Sequence, residues 1–99
     1  MIYDLNSNPL TGQDLDVPPG EFVILAIQAD CETGKFLRAD GGVDVTVEGR
    51  FTGVGSYVNL QTVGIDTTPY AGTKKVFDLR VTAADISFDI ENIEIEVKA

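Results

Sequence analysis

The stretch Val43-Asp44-Val45-Thr46-Val47-Glu48-Gly49-Arg50-Phe51 alternates apolar and polar side chains almost without a break. A strand turns successive side chains to opposite faces, so Val43, Val45, Val47 and Phe51 share one face and Asp44, Thr46, Glu48 and Arg50 the other. The pattern predicts a half-buried strand. It recurs from Lys75 to Val81, where Phe77, Leu79 and Val81 face inward and Asp78 and Arg80 face water. Near the end of the chain Ile86, Phe88 and Ile90 form one set, and Ile93, Ile95 and Val97 another. The parity changes between the two sets, which implies either a tight turn at Glu91-Asn92 or a bulge.

Outward from these strands the signals stay those of a sheet. Phe22-Val23-Ile24-Leu25-Ala26-Ile27 is a continuous apolar run introduced by Pro18-Pro19-Gly20, which predicts a central strand over Glu21 to Ala29 covered on both faces. Phe36 to Ala39 reads as a weaker strand that Asp40-Gly41-Gly42 turns back into Val43 as a hairpin, because glycine supplies positive φ. Tyr57 to Val63 follows the Gly53-Val54-Gly55-Ser56 turn, with Val58 and Leu60 as its inward pair. Asn6 to Gln13 and Gly64 to Thr73 read as surface loops.

No stretch carries the three-to-four spacing of an amphipathic helix, so no helix is available to cover a sheet. About seven to nine short strands must then bury their apolar faces against another sheet. The expectation is one all-β domain over residues 1–99, an antiparallel β-sandwich of jelly-roll or immunoglobulin-like type, with a small barrel as the alternative.

Composition narrows the function. The 99 residues suffice for one core and leave no room for a second domain. Sixteen acidic residues against seven basic ones give a formal charge of −9, which repels phosphate backbones and anionic membranes, so neither nucleic acid nor membrane is an expected partner. The start Met1-Ile2-Tyr3-Asp4 has no basic and apolar leader pattern, so secretion by a signal peptide is not expected. Cys31 is the single cysteine, which excludes an intrachain disulfide.

With no histidine and one cysteine, a Ser-His-Asp or Cys-His nucleophilic site cannot be built, nor an ordinary zinc site. Ser7, Ser56 and Ser87 stand in no nucleophile-elbow pattern. Asp14 with Asp16, and Asp44 with Glu48, take solvent-facing positions that strand alternation explains, so no catalytic residue is assigned. Oxygen-only calcium sites do occur in sandwich loops, and Asp40, Asp44, Asp85, Asp89 and Glu91 would be their source here. Their spacing matches no EF-hand loop, and no metal or other cofactor is assigned. Gly53-Val54-Gly55 lacks the helix and third glycine of a dinucleotide fingerprint. Tyr3, Tyr57 and Tyr70 would be the aromatic platform of a sugar site, though no tryptophan is present.

The run Gly49-Arg50-Phe51-Thr52-Gly53-Val54-Gly55-Ser56-Tyr57-Val58-Asn59-Leu60-Gln61, followed after a loop by Val76-Phe77-Asp78-Leu79-Arg80-Val81, resembles small accessory proteins of tailed-phage virions. The resemblance covers the C-terminal half. It departs from the group at Thr62 to Tyr70, which lacks the Asp-Gly-Gly and tryptophan segment often found there. It implies a non-enzymatic decoration or cement protein, made in the host cytoplasm and carried on the virion. Its partner would be the major capsid protein or another virion protein, with a homo-oligomer possible. Asp89-Ile90-Glu91-Asn92-Ile93-Glu94-Ile95 is similar to the last strand of carbohydrate-binding jelly rolls, which implies the alternative of a small sugar-binding module.

The segment Ile2-Tyr3-Asp4-Leu5 is strand-like, terminal and followed by a polar linker. Residues 1–12 are therefore read either as an arm that pairs with a neighbour or as an edge strand of the chain's own sheet. Ile2, Tyr3, Leu5 and Tyr70 are the candidate interface residues.

Overall fold

The computed structural model describes residues 2–7, 16–89 and 93–99. Within them ten strands run in the order β1 (Ile2–Tyr3), β2 (Asp16–Val17), β3 (Phe22–Asp30), β4 (Phe36–Asp40), β5 (Val45–Phe51), β6 (Val58–Asn59), β7 (Ile65–Asp66), β8 (Lys74–Ala83), β9 (Phe88–Asp89) and β10 (Glu94–Lys98). Five of these are two-residue pairings, and the five longer strands carry the fold. No α-helix is present among the described residues; a single 3-10 turn spans Thr68–Tyr70.

The strands form a five-stranded sheet, β1-β3-β8-β5-β6, a three-stranded sheet, β10-β4-β7, and the small pair β2-β9, with every pairing antiparallel. The chain is an all-β, sandwich-like fold. Alternation decides which side chains meet. Across β3, β8 and β5 the register aligns Ile27, Phe77 and Phe51 in one row, Leu25, Leu79 and Gly49 in the next, and Val23, Val81 and Val47 in a third. These inward rows pack on Leu37, Ala39, Ile65 and Val97 of the smaller sheet. Gly49 is the gap that lets Leu60 in: a Cβ there would lie 3.0 Å from Leu60 Cδ1 and 3.2 Å from Leu79 Cδ2.

Leu60 also stitches the two sheets. Its N–H donates to Val47 O at 2.9 Å on the large sheet, and its carbonyl accepts from Ala39 N–H at 3.0 Å on the small one. These two hydrogen bonds tie one side of the large sheet to the small one.

Several local expectations change. Phe36–Asp40 and Val45–Phe51 do not pair as a hairpin; the chain crosses between sheets there, so Asp40-Gly41-Gly42 is a sheet-to-sheet connection. Val43 precedes the strand and is 95% exposed, since β5 pairs with β8 only from Val45 onward. The central strand of the large sheet is β8, and β3 is covered on its inner face alone, leaving Phe22 and Ile24 in solvent. Tyr57 to Val63 shortens to β6, because Val63 and Gly64 N–H both turn back onto Asn59 O. Gly64 holds φ +80° at this turn, with Leu37 O 3.1 Å from where a Cβ would sit. Ile86 is exposed, and in the late strand Phe88 pairs with Val17. Ile90, the Glu91-Asn92 turn and most of the Asn6 to Gln13 loop lie outside the described residues.

The segment from Gly64 to Thr73 is more than a loop. Ile65 is buried within β7, and Thr67 is fully buried. Its hydroxyl accepts from Glu32 N–H at 3.1 Å and shares its proton between the carbonyls of Glu32 and Lys35 at 3.0 and 2.8 Å. A buried hydroxyl so fully partnered pins this segment to the β3–β4 connection.

Candidate functional site

The outer face of the large sheet divides into two halves of different chemistry. On the β5–β8 half, register sets Glu48 beside Arg80 and Arg50 beside Asp78. Both pairs close as ion pairs, Arg80 Nε to Glu48 Oε1 at 3.1 Å and Arg50 Nε to Asp78 Oδ2 at 3.0 Å. Both guanidinium carbons also lie over the Tyr57 ring, at 4.6 Å from Arg50 and 4.4 Å from Arg80. The Tyr57 ring is therefore engaged by two cations. Glu48 holds the Arg80 guanidinium above its ordinary pKa.

Asp78 is the hub of this half. It accepts from Gly53 N–H at 3.2 Å, Arg50 Nε at 3.0 Å and Thr52 Oγ1 at 3.2 Å. The Gly53 N–H, with Arg50 and Thr52, lowers its pKa below the usual carboxylate value. Since folding lowers this pKa, the stabilisation is complete above the unfolded value of about 3.9 and is lost as pH falls through the folded one. The stability gap between wild type and Asp78→Asn, measured by urea titration, should be constant near neutrality and shrink below about pH 4. A gap unchanged down to about pH 2.5 would contradict this role.

The β3 half is different. Phe22, Ile24 and Ala26 share the outer face opposite Thr82, Arg80 and Asp78. Phe22 is 58% and Ile24 56% exposed. Among the described residues, the strand edge beside them is open as well. β3 pairs with β8 along all nine residues but with β1 only at Gln28 and Ala29. Among the described residues, the edge from Phe22 to Ile27 therefore carries no strand partner. An apolar stripe beside an open edge is where a further strand adds most readily.

A second feature lies at the end of the sandwich where β5 stops and β8 begins. A groove of about 330 Å³ there is lined by Phe51, Val54, Tyr70, Lys74, Lys75 and Val76. Phe51 meets Tyr70 edge-on at 5.0 Å. Lys75 Nζ lies 4.4 Å above the Tyr70 ring, and Lys74 Nζ 3.9 Å above that of Tyr3.

The candidate interface residues separate. Ile2 and Tyr3 pair antiparallel with Ala29 and Gln28 in their own sheet. Ile2 is buried, the Tyr3 hydroxyl donates to Asp30 Oδ2 at 2.9 Å, and Gln28 Nε2 donates to Asp4 O at 3.0 Å. Asp30 raises the Tyr3 pKa through that hydrogen bond. The segment is thus an edge strand of this chain, while Leu5 and Tyr70 remain exposed. Residues 1 and 8–12 of the arm lie outside the described residues. The three tyrosines do not form one platform: Tyr57 belongs to the outer face and Tyr70 to the groove, and each has a cation against its ring.

Among the described residues no three acidic or cysteine side chains group as metal ligands. Cys31 is buried, and burial raises its thiol pKa. Comparison with protein-family models, with curated proteins and with solved structures returns no match.

Proposed function

We propose that this chain is a non-enzymatic binding module that attaches to a larger protein assembly through β3, and that the assembly is a viral capsid. The observation that carries the reading is the β3 edge, without a strand partner among the described residues, with Phe22 and Ile24 exposed beside it. Hydrogen bonds from a partner strand would supply affinity there, and the two side chains would anchor it. The neighbouring ion pairs are already closed, so their charges gain little from a partner and serve mainly to reject wrong ones. Coating or reinforcing a shell needs only such a surface. The resemblance to virion accessory proteins supplies the choice of partner, the major capsid protein.

The test is co-sedimentation of the recombinant chain with virus heads of its own source. Wild type should pellet with the heads, and Phe22→Lys/Ile24→Lys should weaken binding by about 30-fold or more, the loss expected for an interface anchor worth ~2 kcal/mol. Both positions are exposed, so the variant should keep its melting temperature. Failure of wild type to bind, or binding indifferent to both substitutions, would sink the proposal.

A further inference from the structure

The two ends of the large sheet carry complementary surfaces. At one end, the connection Gly41 to Asp44 presents Val43, 95% exposed, at a tip that the fold holds still. The carbonyl before it, on Gly42, accepts from Gln61 Nε2 at 3.0 Å, and the carbonyl after it, on Asp44, accepts from Ala84 N–H at 3.1 Å. An apolar knob pinned on both sides loses little freedom when it docks. Asp44, the next residue, is exposed too, as are Asp85 and Ile86 on the neighbouring β8–β9 connection.

The other end carries the groove of Phe51, Val54, Tyr70, Lys74 and Lys75. In a chain with only seven basic residues, two stand together there, and neither is in an ion pair among the described residues. The nearby carboxylates are engaged elsewhere, Asp30 by the Tyr3 hydroxyl and Glu32 by Lys35. Asp44 and Asp85 likewise have no basic partner among the described residues. Six residue steps of β5, from Val45 to Phe51, separate the two ends, about 20 Å of strand.

We infer that the groove is a receptor for the Val43-Asp44 tip of a second copy of this chain. Val43 seats on the apolar floor that Phe51, Val54 and Tyr70 form together, and the Asp44 carboxylate meets Lys74 and Lys75. Knob and groove lie at opposite ends of one molecule, so the contact is head-to-tail and leaves a free tip and a free groove on every dimer. Such a contact propagates into a ring or filament instead of stopping at two. It uses none of the β3 surface and does not depend on the attachment proposed above.

Sedimentation velocity on the full chain up to about 1 mM tests it, using Val43→Ser/Asp44→Asn to remove the tip and Lys74→Glu/Lys75→Glu to remove the groove. Wild type should sediment faster with concentration and pass beyond the dimer. Each variant alone should stay monomeric, with association weakened at least about tenfold, and should retain the far-ultraviolet circular dichroism of the folded wild-type sheet. Mixed in equal amounts, the two variants should form a 1:1 dimer and nothing larger, since one intact tip meets one intact groove. A wild type that remains monomeric at about 1 mM would overturn the self-contact and leave the groove to a foreign acidic segment. Assembly by either variant alone, or a mixture that stays monomeric, would overturn it equally.

Discussion

Phe77→Ala should lower the unfolding free energy by about 3–5 kcal/mol, the range for a large aromatic removed from a packed core. Phe77 sits on the central strand of the large sheet with no exposed surface, flanked in register by Ile27 and Phe51. Its ring packs on Phe51 at a centroid distance of 4.8 Å and 31°. Both neighbouring strands are long and paired along their length, so the sheet cannot collapse into the void without breaking its ladders. Domains of this size have only about 5–15 kcal/mol in total, and the substitution should leave little of it. Urea denaturation at neutral pH measures the loss. Val43→Ala, at a position 95% exposed, is the matched control and should change stability by less than about 0.5 kcal/mol. Equal effects of the two substitutions would contradict the assigned core.

Removing residues up to Asn6 should destabilise the monomer by about 2–4 kcal/mol. Ile2 is buried against the inner face of the sheet, and full burial of one such side chain contributes about 1.5–3 kcal/mol. The pairing of Tyr3 with Gln28, the hydrogen bond to Asp30 and the Lys74 contact with the Tyr3 ring add to that. An arm reaching to a neighbour would predict the opposite, a truncated chain that melts with the wild type. Leu5, at 56% exposure, separates the effects, because Leu5→Ala should be nearly silent. Thermal unfolding of the three proteins side by side decides between the edge strand and the arm.

Much of the large sheet was legible in the sequence because alternation is local. Phe77, Leu79 and Val81 are the inward residues of β8, and Val45 and Val47 those of β5. Pairing between distant strands is not local. Asp40-Gly41-Gly42 permits a reversal whether the next strand joins the same sheet or the facing one, and here it joins the facing one.

The continuous run from Phe22 to Ile27 misled for a related reason. Coverage of both strand faces leaves the same pattern whether the cover comes from this chain or from a partner. Exposed Phe22 and Ile24 are thus the places where the sequence reading failed and a candidate contact emerged. The groove was not legible at all beyond Tyr70. Its walls come from residues 51, 52, 54, 70 and 74–76, and only the meeting of the β5 end with the β8 start brings them together. Val43 was misread because its alternation with Val45 continues past the point where pairing with β8 begins.

Cryo-electron microscopy of virus heads carrying the bound chain tests the attachment proposal most directly. The account predicts sandwich density of this size on the outside of the shell, with the β3 edge and the Phe22–Ile24 stripe turned against the major capsid protein. Heads without that density, or a bound sandwich whose Phe22 and Ile24 point to solvent, would contradict it.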